Sequence, residues 1–180
     1  MAPLPNSRLT SFVRPFTIVG MGYFGLMNVS VGRRHEKRYG VLFTCMSIRA
    51  VHLEMAYSLS TDLAIMAIRR LIGRRGCPKK VFYDNGTNLR RAANELKRAL
   101  KDLDQNKLIS NLTTDNIEFN FIPPSAPHMG GSWERLIRSI KTTLNVILKE
   151  KFRRDEVLQT LLIEAESIVN SRPLVHVSLD

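Results

Sequence analysis

Two acidic residues, Asp84 and Glu134, stand where a carboxylate could do chemistry. Asp84 ends the segment "KKVFYD" and opens the turn-forming segment "DNGTN", which predicts a position at the end of a strand. Open α/β sheets bind their ligands at strand ends. Glu134 lies where the Pro- and Gly-rich segment "PPSAPHMGG" leads into a helix. Carboxylates held rigidly in this way can bind Mg²⁺, and a pair of Mg²⁺ ions catalyses phosphoryl transfer on nucleic acids.

Each acid also has a purely structural interpretation. An Asp before Asn and Gly commonly makes a tight turn, and an acid near a helix N-terminus is favoured by the helix dipole. The predicted helix adds one observation, since Glu134, Arg138 and Lys141 fall within roughly 60° of one another beside an apolar face. This polar stripe is either a solvated surface or part of a site.

Hydrophobic periodicity predicts an α/β order for the surrounding chain. Strands are predicted over 16–31, 39–48, 50–59, 79–84 and 117–122, and helices from Thr61 to before Gly76 and over 89–103, 132–150 and 155–170. The charged segment 33–38 is predicted as a hairpin turn, and the first three strands as an antiparallel meander. The last helix carries an apolar stripe of Val157, Leu158, Leu161, Leu162, Ala165, Ile168 and Val169.

Composition narrows the class of partner. The 180 residues include 27 Lys and Arg against 16 Asp and Glu, a net charge of +11, which is typical of nucleic-acid-binding proteins. The two cysteines have no CxxC spacing, and no secretory signal or apolar membrane-spanning segment is found. We therefore expect an intracellular location, in the nucleus or the cytoplasm, and no membrane partner.

Three segments carry a family resemblance: "DNGTNL", "IPPSAPHMGGSWERLIRSIK" and "NSRPL". They resemble the catalytic core of retroviral-type integrases, in particular that of the Bel/Pao class of LTR retrotransposons. The resemblance extends from "RPFTIVGMGYFG" to "NSRPLVHVSLD", which is nearly the whole chain. It implies an RNase H-like α/β fold, with a mixed five-stranded sheet flanked by helices.

The resemblance also implies an activity and a cofactor. Such integrases are polynucleotidyl transferases that trim DNA ends and join them to a target DNA, using a DDE triad with Mg²⁺ or Mn²⁺. The resemblance places the second acid at Asp84 and the third at Glu134, each as a catalytic residue and metal ligand. Their separation of 50 residues (134 − 84) implies an insert around residues 101–116. DNA and further copies of the chain are the implied partners.

Four residues near these acids are candidates for contacting DNA. Arg138 and Lys141 share the helix face of Glu134, while Asn85 and Asn88 flank Asp84.

The first acid of the triad is missing. The family segment usually reads Gly-x-Asp-Tyr-Phe-Gly-Pro, whereas this chain reads "GMGYFGL" over 20–26. Gly22 therefore stands at the Asp position and Leu26 at the Pro position, and Arg91 replaces a usually small residue. Because loss of a metal ligand removes stabilisation of the transition state, we expect a degenerate site that is catalytically inactive or nearly so.

Other acids could in principle compensate for Gly22. Glu54, on the predicted third strand, and Asp62, at a helix start, are nearest in sequence, but the resemblance places neither in the site. We also expect residues 1–14 to be a lead-in and residues 15–180 to form one domain. The histidines and cysteines lack the spacing of the family's zinc module, which predicts that the chain is a fragment of a longer polyprotein.

Three functional readings follow. The first is an integrase core for DNA integration with a defective triad. The second is a non-enzymatic nucleic-acid-binding remnant, or a domesticated transposon-derived protein. The third is an unrelated basic α/β protein, in which Asp84 and Glu134 would lie far apart.

Overall fold

The computed structural model describes residues 13–84, 117–122, 135–144 and 154–172. These segments contain five strands and three helices. In chain order they are β1 (Ile18–Val31), β2 (Arg34–Cys45), β3 (Val51–Ala56), α1 (Thr61–Arg75), β4 (Lys80–Asp84), β5 (Glu118–Ile122), α2 (135–144) and α3 (Asp155–Asn170). The predicted helix at 89–103, the predicted insert and both ends of the predicted helix at 132–150 lie outside the described residues.

The strands form one mixed sheet in the order β3-β2-β1-β4-β5. β1, β2 and β3 pair antiparallel, as the predicted meander requires, while β4 runs parallel to β1 and β5 runs parallel to β4. A return to a parallel strand needs a crossover connection, and α1 provides it between β3 and β4. This arrangement confirms the predicted mixed five-stranded sheet flanked by helices.

The hairpin joining β1 to β2 is longer than the sequence predicts. A turn is predicted over 33–38, but the strands stay paired out to Val31 and Arg34, so only Gly32 and Arg33 form the turn. Gly32 has φ 61°, which suits the first central position of a two-residue hairpin turn. The prediction was wrong because this end of β2 is exposed and charged, so it lacks the apolar alternation that marks a strand.

Helix α1 covers one side of the sheet, which we call the α1 face. The Ser60 hydroxyl accepts a hydrogen bond from the Leu63 N–H and caps the helix, and Gly76 ends it with φ 85°. The buried residues of α1 are Ala64, Ile65, Ala67, Ile68 and Leu71. They pack against every second residue of the central strands, including Val19, Met21, Tyr23, Val41, Phe43 and Val81.

Helices α2 and α3 cover the opposite side, which we call the α2/α3 face. Their buried residues are Leu136, Ile137, Ile140 and Leu144 of α2 and Leu158, Leu162, Ala165 and Val169 of α3. They pack against sheet residues that include Phe24, Leu42 and Leu53. No described helix combines the length and the apolar content that a bilayer crossing requires.

The apolar stripe predicted for α3 is too wide. Val157 and Ile168 belong to the predicted stripe, yet their side chains are 44% and 52% exposed. The reason is the position of α3 beside the edge strand β3, where only a narrow side of the helix meets the core.

Polar groups of α3 and of the residues after it close the free edge of β3. The Asn170 side chain accepts a hydrogen bond from the Val51 N–H at 2.8 Å and donates one to the Val51 carbonyl at 2.9 Å. The Glu166 carboxylate accepts a bond from the Leu53 N–H at 2.8 Å. Arg172 donates to the carbonyl of Arg49, just before β3. The "NSR" part of the "NSRPL" segment therefore supplies contacts that hold the sheet edge.

Close packing fixes the identity of Gly40. Phe24 pairs directly opposite Gly40, and its ring lies over the glycine. A Cβ at Gly40 would lie 2.1 Å from Phe24 Cζ, far inside van der Waals contact, and the ring is only 1% exposed. The ring therefore has little room to move away.

We expect Gly40→Ala to lower the free energy of unfolding by about 1–3 kcal/mol or more, because the new methyl group overpacks the core. The matched control is Gly73→Ala in α1, where an added Cβ meets nothing within 4 Å. That change should raise the free energy of unfolding by about 0.5–1 kcal/mol, since Ala is the better helix former. Urea denaturation measures both, and equal effects of the two changes would contradict the packing of Phe24 on Gly40.

Candidate functional site

Gly22, at which the resemblance expects the first acid, lies beside Asp84 in the sheet. Gly22 is buried in β1 and pairs with Leu42 on one side. On the other side the parallel register joins Met21 to Tyr83, so Gly22 and Asp84 occupy the next position of each strand. Because strand residues alternate between faces, both belong to the α2/α3 face. Neighbouring strands are about 4.8 Å apart, so a side chain at position 22 would stand next to position 84.

Helix α2 approaches the same region. Its residues Leu136, Ile137 and Ile140 are buried in the core that also contains Leu42 of β2. Glu134 immediately precedes the described part of α2, so Glu134 itself lies outside the described residues, as do Asn85 and Asn88. The structure therefore brings together positions 22 and 84 and the helix that follows Glu134.

The two predicted basic residues of α2 lie away from its buried side. Arg138 is exposed and Lys141 is half-buried, whereas the buried residues of α2 occupy the other side of the helix. Both cations can therefore be reached from solvent, whereas Glu134, the acid of the predicted stripe, lies outside the described residues.

The described residues do not fit the complete metal centre that the resemblance implies. That centre needs a carboxylate from β1, and Gly22 has no side chain. Within the described segments, no three His, Cys, Asp or Glu side chains come together as a metal-binding group. No reaction step through Mg²⁺ or Mn²⁺ can therefore be derived for this chain.

Glu54 lies too far from Gly22 to supply the carboxylate that the resemblance expects there. It pairs in register with Val41 and lies on the α1 face, whereas Gly22 lies on the α2/α3 face and two strands away. Its carboxylate is already engaged, since it accepts hydrogen bonds from Arg70 at 2.5 Å and from His52 at 3.0 Å. Glu54 is thus a structural residue.

Asp62 is equally remote. It is an exposed residue in the first turn of α1, and α1 packs on the face opposite to Gly22. Both acids considered as replacements, Glu54 and Asp62, are therefore separated from the candidate site by the sheet itself.

The partners of Glu54 form a buried ionic cluster at the edge of the sheet. His52 is 1% exposed and lies between two carboxylates, with Nε2 3.0 Å from Glu54 and Nδ1 3.3 Å from Glu166. Arg75 of α1 forms an ion pair with Glu166 of α3. The cluster therefore joins β3 to both of the helices beside it.

The protonation states of this cluster follow from its contacts. Burial disfavours a charged His52, but the hydrogen bonds of Glu166 and Glu54 outweigh burial and raise the pKa of His52. Burial would raise the pKa of Glu54, but bonds from His52 and Arg70 lower it. The pKa of Glu166 is lowered in the same way by His52 and by the Leu53 N–H. All three shifts act in the direction that favours the charged form of each group.

The comparison with solved structures identifies the fold. No protein-family model and no curated protein matches the sequence. Among solved structures, the HTLV-2 integrase catalytic core domain in complex with magnesium, in a dimeric form, matches with a TM-score of 0.58 and 16% identity over 89% of this chain and 90% of that chain. These values describe a shared fold over nearly the full length of both chains.

A second match comes from the simian T-cell lymphotropic virus intasome in complex with PP2A regulatory subunit B56 gamma. Its TM-score is 0.59 at 17% identity, over 90% of this chain and 51% of that chain, so the present chain spans about half of its length. The fold is therefore the RNase H-like fold of integrase catalytic cores, as predicted. Membership of the Bel/Pao class stays a prediction.

We expect the ionic cluster to give the stability of the protein a maximum in mildly acidic solution. A raised His52 pKa stabilises the fold below the unfolded value of 6.5, and this stabilisation is lost as the pH rises through the folded pKa. The lowered pKa values of Glu54 and Glu166 stabilise the fold above pH 4.5, the unfolded value. This stabilisation is lost as the pH falls through the folded pKa values. Urea denaturation across this pH range measures the profile.

His52→Gln should flatten the decline of stability on the alkaline side. His35→Gln, at an exposed histidine of the hairpin, is the control and should keep the decline. An unchanged profile in His52→Gln would show that His52 is neutral in the folded protein.

Proposed function

We propose that this chain is the catalytic-core domain of an integrase of the retrotransposon type. It binds DNA, and its end-processing and strand-transfer reaction is lost or nearly lost because Gly22 replaces the first acid of the triad. The observation that carries the proposal is the parallel register of β1 and β4, in which Gly22 and Asp84 stand side by side on the face that α2 approaches. The shared fold of the HTLV-2 integrase core supports it.

The proposed loss has a simple physical cause. A carboxylate at position 22 would supply negative charge between the metal ions, and glycine supplies none. Asp84 and Glu134 would then be the remaining acidic ligands, with weakened binding of Mg²⁺ or Mn²⁺. Removal of one preorganised electrostatic contact commonly costs roughly 10²–10³-fold in rate. We therefore assign this copy a residual activity near background.

The basic surface does not depend on the missing acid. Arg138 and Lys141 lie on the exposed and half-buried side of α2, where they can pair with phosphates of the DNA backbone. Asn85 and Asn88, beside Asp84 in sequence, are proposed as further DNA contacts. We also propose that copies of the chain associate, since the HTLV-2 core was solved in a dimeric form.

A second candidate function shares the fold but has no chemistry. In it the domain is a DNA-binding remnant, left behind or recruited by a host. The glycine at position 22 favours this candidate, because a protein retained only for binding does not need the acid. The two candidates differ in whether the rest of the catalytic site is intact.

We expect Gly22→Asp to restore Mg²⁺-dependent strand transfer by the full chain. The assay uses a labelled DNA duplex as donor and a supercoiled plasmid as target, beside the unchanged protein. Gly22→Asn is the matched control, because its side chain has nearly the same shape and no charge. Activity in Gly22→Asp alone would show an intact integrase core that lacks one ligand.

Two other results are informative. Activity of the unchanged protein well above background would overturn the proposed inactivity. If none of the three proteins is active although all bind DNA, other lesions or missing modules also matter, and the non-catalytic candidate is favoured. Thermal melting with and without Mn²⁺ supplies a second readout, since a restored ligand should make the melting temperature rise with Mn²⁺ in Gly22→Asp only.

We expect the pair Arg138→Ala and Lys141→Ala to weaken DNA binding across all sequences. The slope of log affinity against log salt concentration is negative, and each lost phosphate contact should reduce its magnitude by roughly 0.9. Fluorescence anisotropy with a labelled duplex at several salt concentrations measures this slope. Thr142→Ala on the same helix, which changes no charge, is the control, and equal slopes would remove these two residues from the interface.

A further inference from the structure

The hairpin of β1 and β2 projects beyond the rest of the sheet. β4 pairs with β1 over Ile18–Met21, and β3 pairs with β2 no further out than Tyr39. Beyond these points, among the described strands, residues 27–31 and 34–38 pair only with each other. We call residues 26–38 the hairpin arm.

The arm is fixed at its base. Arg38 is 4% exposed, and its guanidinium donates two hydrogen bonds to Asp155 of α3, at 2.8 and 3.0 Å. The same group lies 4.6 Å from the centre of the Tyr57 ring. Val29 is fully buried in the core of the α2/α3 face. The arm is therefore held in one direction by packing and by a charged clamp.

One extra residue in β1 controls which side chains of the arm share a face. The register shifts between Phe24 and Met27, and Gly25 takes φ 86° there, as a β-bulge requires. After the bulge, Met27 and Val29 continue on the α2/α3 face. In β2, with no bulge, Arg34 lies on that same face as the partner of Val31.

The charge of the arm is concentrated at its tip. Arg33, Arg34 and Lys37 contribute +3, and all three are exposed. Arg38 forms ion pairs with both Glu36 and Asp155, so that trio carries −1 and the whole surface +2 (3 − 1). Within the described residues, the side chains of Arg33 and Arg34 form no hydrogen bond and no ion pair. Their guanidinium groups are therefore available to a ligand.

We propose that the tip of the hairpin arm is a second DNA-contacting surface, in which Arg33 and Arg34 bind backbone phosphates. A two-stranded β-ribbon is narrow enough to enter the major groove or lie along its edge. Guanidinium groups bind phosphate oxygens bidentately, which suits two adjacent arginines at a turn. The inference rests on the proposed function, since it adds a contact for the same DNA.

The geometry relates the tip to the candidate site. Arg34 lies eight residues along β2 from Leu42, the partner of Gly22. At about 3.4 Å per residue this is roughly 27 Å, less than one turn of B-DNA, which measures roughly 34 Å. Both positions belong to the α2/α3 face. A duplex held at the site can therefore reach the tip within one helical turn.

Other partners suit the tip less well. The exposed apolar residues of the arm, Leu26 and Val31, stand at its two ends and form no continuous patch for a membrane. A groove between the tip and the start of α3 is lined by Ser30, Val31, Gly32, Arg154, Asp155 and Glu156. Its two acids repel phosphate, so DNA is placed on the outer side of the tip.

The test compares two pairs of substitutions in the full chain. Arg33→Ala with Arg34→Ala removes two positive charges from the tip. Arg69→Ala with Lys79→Ala removes two positive charges from exposed positions on α1 and before β4. Anisotropy with a labelled duplex of mixed sequence is measured at several salt concentrations. The substitutions at the tip should weaken binding roughly tenfold or more and reduce the magnitude of the salt slope by about 2. The control substitutions should change neither quantity appreciably.

The outcomes separate this inference from the proposed function. If all variants bind DNA and the tip pair behaves like the control pair, the arm is not a DNA contact, although the proposed function stands. If no variant, including the unchanged chain, binds DNA, both fail. Loss of binding to phosphatidylserine vesicles in the tip pair, with DNA binding unchanged, would assign the arm to a membrane and overturn the proposal. Circular dichroism melting confirms that each variant is folded.

Discussion

The parallel pairing of β4 with β1 is the constraint on which the rest of the molecule depends. It makes β1 a central strand with neighbours on both sides, and the side chains of β1 alternate between the cores on the two faces of the sheet. It also sets Gly22 level with Asp84. A shift of one residue in this register would turn Asp84 to the α1 face, against a packed helix. The same hydrogen bonds that build the sheet therefore decide whether a catalytic site can exist.

Charged groups, rather than apolar ones, fix the margins of this sheet. His52, Glu54 and Glu166 join β3 to its helices, and Arg38 with Asp155 fastens the hairpin to α3. Taking such groups out of water is costly, and a buried ion pair often contributes little net stability. Its geometry is nevertheless directional, so each cluster allows one placement of the helix beside it. The apolar core supplies stability, and the ionic clusters select the arrangement.

The sequence was informative wherever one face of an element is solvated. The bounds predicted for the last helix, 155–170, are those of α3, and the meander and the strand ending at Asp84 are also observed. The sequence predicted β3 but left open which face Glu54 occupies, and all six residues of β3 are buried. Residues 33–38 were mistaken for a turn because residues 34–37 are exposed and charged. The position of Gly22 level with Asp84 depends on the strand register, which no local pattern encodes.

The closed edge of β3 has a consequence for how copies of this protein can meet. An edge strand with free N–H and C=O groups can accept a strand from another molecule, which leads to ordered sheets or to aggregation. Here Asn170 occupies both hydrogen-bonding groups of Val51, and Glu166 occupies the Leu53 N–H. Sheet continuation across two molecules is therefore blocked at this margin. Helix α3 therefore packs in the core and also prevents another strand from pairing with β3.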